Sequence, residues 1–545
     1  MMTTVLFILA LGLPLGALLA CTSPALRRAL LPWLWLAPLP SLMLAVLAEP
    51  NAAWSLGNAQ FAVHFALDRP GRILLGVAAL LWSVAGMYAV TWLHDQPKQG
   101  SFVVTWLMTL TGCVGVFLAA DLISFYFLLA VLSVGASGMV LQGKGEDALR
   151  ASSIYLGLAL LAESFLLAGL VLLAAAAPND SLLIRDAVAA LPSSSNRELT
   201  MTLLLIGLGI KAGLVPLHFW LPLAHGAAPM PSSAVLGGVI VKIGMLGMIR
   251  FLPLDVAAAD FGLPLAAIGL FGALYGVAIG LTQHNPKHIL AYSSVSQMSF
   301  LAAVVGMGLT TGAAGTAVAV AFYAAHHLLV KGALFLAVGV IARTGRRHLL
   351  PMLLPAAVIA LGLGGLALTG GALTKYAAKD LLGDGLAGTV AMISSVATSL
   401  LMLHFLRTLL QNTHVDSNAR PPNGLAWPWL IMALASVVVP WTLYFVIPIN
   451  TMSQGWAQAL APSALWDGLW PVLLGVVFAI GVERWRHRLP RIPTGDVAVV
   501  LHPLGRTNTA LGVLVERLDS FARRWVVATM SLITLAILFV WGLAR

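Results

Sequence analysis

Residues 211–242 read KAGLVPLHFWLPLAHGAAPMPSSAVLGGVIVK, an apolar stretch with a lysine at each end. The chain has 545 residues, of which 60% are hydrophobic and 9% are charged. Soluble proteins are about a quarter charged, so Lys211 and Lys242 belong to a chain built for an apolar solvent. Apolar runs of about 18 or more residues, long enough to cross a bilayer core of about 30 Å, recur along the sequence. The sequence therefore predicts an integral membrane protein with many spans.

These spans are expected to be helices, because backbone amides in lipid must be paired within their own segment. A membrane barrel would instead show alternating segments of about ten residues, which the sequence lacks. Hydropathy over a window of about nineteen residues gives about sixteen spans: 4–21, 29–48, 72–93, 101–119, 121–141, 151–176, 200–220, 233–252, 259–281, 288–308, 313–342, 352–382, 386–410, 426–448, 465–483 and 524–543. The predicted fold class is an all-α polytopic membrane protein with about 14–16 transmembrane helices.

The net charge of +10 comes mainly from loop residues. Basic side chains concentrate in alternate loops, for example at Arg343, Arg346 and Lys287, and again in the cluster 484–491. This pattern is a topology signal and does not indicate nucleic-acid binding; the positive-inside rule places both termini outside the cytoplasm. The N-terminal run lacks the basic start of a secretory signal, so it is read as the first helix. The expected location is the cell inner (plasma) membrane.

Two of the apolar segments are interrupted in corresponding ways. Pro216 removes a backbone donor after Lys211, and the glycine pairs 364–365 and 370–371 precede Lys375. Interrupted spans that carry a charge in both halves of a chain are typical of inverted-repeat transporters, whose ion site lies near the bilayer midplane. The expected division is N-terminal helices (1–100), a first repeat (101–255), a second repeat (256–412), and C-terminal helices with a basic segment and an amphipathic stretch at 508–522 (413–545).

Ionisable residues inside the spans are functional candidates, because a lysine at the bilayer centre costs about 2.5–3.5 kcal/mol on insertion scales. The main candidates are Glu163, Lys211, Lys242, His327, Lys331 and Lys375. The secondary candidates are His218, His326, Lys379 and Asp380. Lys379 and Asp380 lie near a span end, where long side chains reach the interface. One of the adjacent histidines 326 and 327 is expected to be a packing or hydrogen-bonding residue, and His225 is assigned to a loop.

The chemistry of these candidates suits a proton relay. A lysine without surrounding water gives up its proton more easily, and histidine titrates near neutrality. Hydroxyls at Ser232, Ser293 and Ser296 can join such a row. The sequence contains no phosphate-binding loop, cysteine pair or metal-ligand cluster, and Cys21 and Cys113 are read as packing residues. We expect no catalytic centre, cofactor or metal site in this chain.

Four motifs resemble one superfamily. IKAGLVPLHFWLPLAHGAAPMPSSAVLGGVIVKIGMLGMIR (210–250) resembles the seventh and eighth helices of the antiporter-like subunits of respiratory complex I, Mrp cation/proton antiporters and membrane-bound hydrogenases. NPKHILAYSSVSQMSFLAAV resembles the tenth helix of these subunits, AAHHLLVKGALFLAVG the eleventh, and LTGGALTKYAAKDLL the broken twelfth. The motifs occur in a consistent order, and the resemblance covers roughly residues 54–410.

The resemblance implies about fourteen shared helices with two inverted five-helix repeats. It also implies that the lysines of the seventh, eighth, eleventh and twelfth helices fall on Lys211, Lys242, Lys331 and Lys375. One position departs from the superfamily pattern: its fifth-helix glutamate aligns with Ala130, and no acid occurs from 122 to 145. Our hypothesis is that Glu163, one helix later, takes over as the partner of Lys211.

Two functions compete at this point. The first is translocation of H+, or exchange of Na+ for H+, within a hetero-oligomeric complex of complex I, hydrogenase or Mrp type, energised by partner subunits. The second is proton conduction that powers a partner enzyme, as in inorganic-carbon (CO2/bicarbonate) uptake complexes. The absence of the superfamily's acid at Ala130 favours the second function. The sequence around Lys242 argues against the second function. A subunit with a degenerate channel is disfavoured by the four buried lysines.

Overall fold

The computed structural model describes residues 2–57, 62–94, 96, 98–446, 459–485 and 492–496. The chain divides into two units, 1–494 and 495–545, and every helix given below belongs to the first. The predicted span 524–543, the amphipathic stretch 508–522 and the basic cluster beyond Trp485 lie outside the described residues.

The described helices are α1 (Met2–Ala20), α2 (Pro24–Ala29), α3 (Leu39–Leu47), α4 (Arg69–Trp92), α5 (Gln99–Leu118), α6 (Leu122–Leu141), α7 (Gly145–Ala176), α8 (Ile184–Ala190), α9 (Arg197–Ala212), α10 (Trp220–Ala227), α11 (Met230–Val235), α12 (Val241–Phe251), α13 (Ala259–Leu281), α14 (Pro286–Thr311), α15 (Thr316–Ile341), α16 (Leu350–Gly364), α17 (Gly370–Leu382), α18 (Leu386–Gln411), α19 (Asn423–Val446) and α20 (Pro462–Trp485). Counting α11 and α12 as one continuous helix, twelve helices among the described residues are long and apolar enough to cross a membrane. They coincide with twelve of the predicted spans, and the all-α membrane fold class is confirmed.

The predicted span 29–48 is wrong as a single helix. The structure has α2, a 3-10 turn at Leu31–Trp33 and then α3. Pro32, Pro38 and Pro40 each remove a backbone donor from this stretch, and a proline inside a helix also clashes with the preceding turn. Hydropathy measures only how apolar a stretch is, so it did not register this interruption.

The predicted break after Lys211 is confirmed. Helix α9 ends at Ala212 because Gly213 adopts a left-handed conformation with φ of 73°, which glycine tolerates without steric cost. The Leu214 amide then donates to the Gly209 carbonyl at 2.9 Å, the bond that closes a Schellman motif. Helix α10 begins at Trp220, whose indole Nε1 donates to the Ile210 carbonyl at 3.0 Å.

The predicted break before Lys375 is confirmed as well. Helix α16 ends at Gly364, and Gly365 has a φ of 102°. The Leu366 amide donates to the Leu361 carbonyl at 3.2 Å, and α17 begins at Gly370 after a short irregular segment. Both halves of the chain therefore contain a helix whose last carbonyls are left without helical amide partners.

The centre of the protein is formed by α14, α15 and the continuous α11–α12 helix. The most apolar stretch of each of these helices is entirely buried. Helix α15 packs against α12 on one side and against α17 on another. It therefore contacts a helix of the half that contains the first break and the helix that begins after the second break.

A β-hairpin was not predicted from the sequence. It consists of β1 (Ala53–Gly57) and β2 (Ala62–Ala66), paired antiparallel with Trp54 opposite Phe65. The His64 amide donates to Asp121 Oδ2 at 2.8 Å, which ties the hairpin to the start of α6. With five residues in each strand, the hairpin leaves little periodic signal in the sequence.

Candidate functional site

Lys211 forms a buried ion pair with Glu163. Its Nζ donates to Glu163 Oε1 at 2.7 Å and to Ser133 Oγ at 2.7 Å. The two residues are 7% and 5% exposed. The hypothesis that Glu163 on α7 lies against Lys211 is thus met by the geometry, although its part in transport stays a prediction.

The local structure explains why a lysine is tolerated at this point. Lys211 lies in the last turn of α9, where the unpaired carbonyls give the helix end a partial negative charge that favours cations. Ser133 follows Ala130 by three residues on α6, so both positions belong to the same face of that helix. In the resembling superfamily a glutamate occupies the position of Ala130. Here the carboxylate that meets Lys211 comes instead from Glu163 on α7.

Lys242 is wholly buried, and its Nζ donates to the Gly237 carbonyl at 2.6 Å. Gly237 belongs to a π-helical stretch, Leu236–Ile240, that joins α11 to α12. Such bulges displace backbone carbonyls from the regular ladder and are frequent at functional sites. The lysine thus satisfies its buried ammonium with a backbone oxygen.

A close helix crossing lies between Lys211 and Lys242. A Cβ atom on Gly244 would lie 2.5 Å from the Ala212 amide nitrogen, so only glycine lets α12 approach α9 this closely. Ala212 directly follows Lys211, and Gly244 lies two residues after Lys242. The two lysines are therefore carried by helices that touch where the first break begins.

Helix α15 supplies the next groups. Lys331 is wholly buried, and its Nζ donates to the Leu290 carbonyl at 2.7 Å. His327 interacts electrostatically with both Lys242 and Lys331. Neither ring nitrogen of His327 has a hydrogen-bond partner among the described residues. Because buried ring nitrogens are normally paired, those of His327 are suited to hydrogen-bond an ordered water.

The adjacent histidine faces the other half of the protein. His326 is buried, interacts electrostatically with Lys375, and lies against the start of α17, where Cβ atoms on Gly370 and Gly371 would meet its ring. Each of the two histidines faces a different lysine group; that one of them is a packing or hydrogen-bonding residue stays a prediction. His326 and His327 together lie between the Lys242–Lys331 group and Lys375.

Lys375 lies at the second break. Its Nζ donates to the Gly364 carbonyl at 2.7 Å and to Ser395 Oγ at 2.7 Å. Gly364 is the last residue of α16, so the ammonium meets a carbonyl at the negative end of that helix. Lys375 also lines a cavity of about 290 Å³ together with residues of α18 and α20.

Of the remaining secondary candidates, two are exposed and one is buried. Lys379 and Asp380 are exposed at the end of α17, and Lys379 Nζ lies 3.5 Å from Asp467 Oδ2. His218 is wholly buried in the segment between α9 and α10, edge-on to the rings of Tyr275 and Tyr292. The position of Lys379 agrees with the prediction that it reaches the interface.

Two buried residues were assigned wrongly from the sequence. His225, expected in a loop, is 1% exposed on α10, stacks on Phe335, and interacts electrostatically with Lys242, Lys331 and Lys287. Lys287, counted as a loop residue, is 7% exposed and donates to the Gly226 and Ala228 carbonyls at 2.9 and 2.5 Å.

The sequence did contain a signal for Lys287. Asn285 followed by Pro286 is a helix-start pattern, and the Asn285 side chain accepts from the Lys287 amide in the structure. Lys287 therefore belongs to the first turn of α14 and not to the preceding loop. We find no comparable signal for His225.

The hydroxyls expected in the relay divide into two kinds. Ser232 and Ser293 are wholly buried, and their Oγ atoms have no hydrogen-bond partner among the described residues. Ser296 Oγ instead donates to the Ala273 carbonyl at 2.7 Å. Since buried hydroxyls without protein partners are usually satisfied by ordered water, the first two are suited to hold water.

Comparison with known proteins finds a related family. Residues 119–382 match the family described as NADH:quinone oxidoreductase/Mrp antiporter, transmembrane. Hydrogenase-4 component B of Escherichia coli K12 is 26% identical over 438 residues, which cover 70% of this chain and 63% of the relative. NADH-quinone oxidoreductase subunit M of Pseudomonas aeruginosa is 31% identical over 340 residues, which cover 56% of this chain and 62% of the relative. This chain thus spans less than two thirds of the length of either relative.

A solved structure shows the same fold. The Mrp complex from Dietzia sp. DQ12-45-1b matches with a TM-score of 0.78 and 19% identity, over 100% of this chain and 63% of the matched chain. Residues 119–382 thus resemble the antiporter-like subunits that the four motifs also resemble.

Proposed function

We propose that this protein is a proton- or cation/proton-translocating subunit of a multi-subunit membrane complex. In this proposal H+ is relayed by Glu163, Lys211, Lys242, His327, Lys331 and Lys375. The observation that supports it best is the buried Glu163–Lys211 ion pair at a helix break, because the charge of either partner depends on the proton of the other. Buried ion pairs contribute little to stability, since desolvation offsets their attraction.

The relay works through neighbouring charges. A proton that reaches Glu163 removes the carboxylate that stabilises the Lys211 ammonium, so Lys211 releases its proton toward the α12 helix. Lys242 and Lys331 interact electrostatically, and two like charges at such a site disfavour each other. A proton arriving at Lys242 therefore drives one from Lys331 through the histidines of α15 toward Lys375.

The same proposal covers organisation and partners. The two inverted repeats are 101–255 and 256–412, and both termini lie outside the cytoplasm in the cell inner membrane. Energy comes from partner subunits, as the names of the relatives, taken from dehydrogenase, hydrogenase and Mrp complexes, suggest. Proton conduction for an inorganic-carbon uptake enzyme is less well supported, because Glu163 supplies the acid whose absence at Ala130 had favoured that reading.

Proton flux in vesicles that contain the purified native complex tests the proposal. Lys211→Ala and Lys375→Ala are compared with wild type and with Lys144→Ala, which removes an exposed lysine. Loss of energised H+ movement in the first two variants, with normal assembly and with normal flux in the control, supports the relay. Flux that survives both substitutions overturns it and moves the search for function to the partner subunits.

A further inference from the structure

Two loops at one end of the protein carry arginines that the proposed relay does not use. Loop 342–349 joins α15 to α16, and loop 412–422 joins α18 to α19. Together these two basic loops contain four arginines, at positions 343, 346, 347 and 420, and a single acid, Asp416. Four arginines less one aspartate leave a net charge of +3 on a small part of the surface.

Backbone hydrogen bonds hold the two basic loops together. Three bonds of 2.9–3.1 Å join them, from the amides of Gly345, Arg347 and His414 to the carbonyls of Ala419, Ser417 and Thr344, respectively. The Arg347 guanidinium also donates to Asn418 Oδ1 at 2.8 Å. The arginines are therefore presented from a fixed backbone, and a preformed surface loses less conformational entropy when it binds a ligand.

The positive charge of this surface is not neutralised within the described part of the chain. None of the four arginines has a salt bridge to a described carboxylate. Asp416 Oδ1 instead accepts from the Asn418 amide at 2.9 Å and so closes its own loop. Arg346 and Arg347 are exposed, and an arginine guanidinium matches the geometry of a phosphate group through paired N–H donors.

The two basic loops lie at the ends of membrane-spanning helices. The Arg343 guanidinium carbon lies 4.0 Å from the ring centroid of Trp92, the last residue of α4. Because tryptophan is enriched at the membrane–water interface, this contact places the loops at the level of the lipid headgroups. Leu350 and Val415 are exposed beside the arginines, and apolar side chains next to basic ones are typical of surfaces that lie in the interface.

We infer that the two basic loops bind the headgroup phosphate of an anionic phospholipid of the surrounding membrane, through Arg346, Arg347 and Arg420. A lipid is favoured over an acidic protein because the arginines stand on short loops at the headgroup level, next to exposed apolar side chains. The proposed orientation places both loops on the cytoplasmic side, where anionic lipids attract basic segments. This inference does not depend on proton translocation.

Photo-crosslinking of lipids tests where the headgroup binds. The purified native complex is reconstituted with a trace of either phosphatidylglycerol or phosphatidylcholine, each with a photoactivatable group at the start of its acyl chains. Crosslinked peptides are then mapped by mass spectrometry. Phosphatidylglycerol is expected to crosslink to the two basic loops at least about fivefold more than phosphatidylcholine, which is the gain that one arginine gives near an anionic lipid surface. Equal crosslinking by the two lipids overturns the inference.

Charge variants test which residues bind the phosphate. Arg346→Gln/Arg347→Gln is expected to lower crosslinking by subsaturating phosphatidylglycerol about 25-fold, since each arginine contributes about fivefold. Arg346→Gln alone keeps the bond from Arg347 to Asn418, so it should fold normally and lose about fivefold. Unchanged crosslinking in both variants overturns the role of these arginines.

A matched control separates a binding site from general surface charge. Lys144→Gln/Arg150→Gln makes the same charge change at exposed positions near the start of α7, where Glu146 and Asp147 already balance the two cations. It should leave crosslinking at the two basic loops unchanged, and a loss equal to that of the arginine variants overturns the inference. Unchanged lipid crosslinking in the arginine variants, together with loss of a subunit from the complex, would assign this surface to a protein partner and overturn the lipid site.

Discussion

Lys211 and Lys375 occupy comparable places in the two halves of the protein but are stabilised differently. Each lies beside a helix break, and each donates to a serine hydroxyl at 2.7 Å. Lys211 also donates to the Glu163 carboxylate, and the cavity that Lys211 lines measures only about 10 Å³. Lys375 meets a backbone carbonyl and borders about 290 Å³. One lysine depends on an ion pair, and the other depends on a helix end and on space for water.

In the proposed relay, this difference divides the work between the two halves. Protonation of Glu163 would remove the partner of Lys211, so the first half would respond to the charge of Glu163. Lys375 borders a cavity large enough for water, so the second half would be suited to release. The residues of α15 between them, His326 and His327, face one lysine group each.

The largest effect is expected from Glu163→Gln. It leaves the Lys211 ammonium buried without its carboxylate, and breaking a buried pair on one side costs about 3–5 kcal/mol. We expect at least about a tenfold loss of proton flux, since a barrier change of about 1.4 kcal/mol is already tenfold, together with a lower melting temperature of the purified complex. Unchanged flux and unchanged melting would remove Glu163 from the relay.

A second variant sharpens the comparison by moving the acid. Ala130→Glu in the Glu163→Gln background places a carboxylate on the α6 face that already presents Ser133 to Lys211. We expect recovery of a large part of the flux, because the ion pair forms again from the neighbouring helix. Ala130→Gln in the same background is the matched control, and equal recovery in both would show that charge is not what matters.

The two serines provide a matched pair of smaller changes. Ser133→Ala removes one hydrogen bond to a buried ammonium, and bonds to charged groups are worth about 1.5–3 kcal/mol. Ser395→Ala removes the equivalent bond, but water in the neighbouring cavity can replace it. We expect a clear decrease in melting temperature and flux for Ser133→Ala and little change for Ser395→Ala. Equal losses in the two variants would contradict the distinction between a dry site and a wet one.

The smallest effect is expected at the exposed ion pair between α9 and α13. Arg197 bonds Asp260 through two nitrogens, at 2.7 and 3.1 Å. Because such pairs are solvated and screened by salt, Arg197→Ala should cost at most about 1 kcal/mol and leave proton flux unchanged. A large loss of flux here would mean that the position of α9 depends on this pair, and the melting temperature would show it.

The sequence was informative wherever burial in lipid restricts residue choice. Charged residues are costly inside a membrane, so Lys211, Lys242, Lys331 and Lys375 could be identified from their surroundings, and the breaks followed from proline and glycine. His225 and Lys287 could not be found in this way. Both lie close to segment ends, where hydropathy does not distinguish a solvated side chain from one covered by a neighbouring helix.

The sequence by itself determined the all-α membrane fold, the two helix breaks and the lysines beside them. Each of these depends on the residues of a single segment: its hydrophobicity, its proline and glycine residues, and the free energy of placing a charge in lipid. Only the tertiary structure decided what each lysine meets. The carboxylate against Lys211 comes from 48 residues away, and the cavity beside Lys375 requires α20. Packing of distant helices, which local composition does not encode, made one lysine site dry and ion-paired and gave the other room for water.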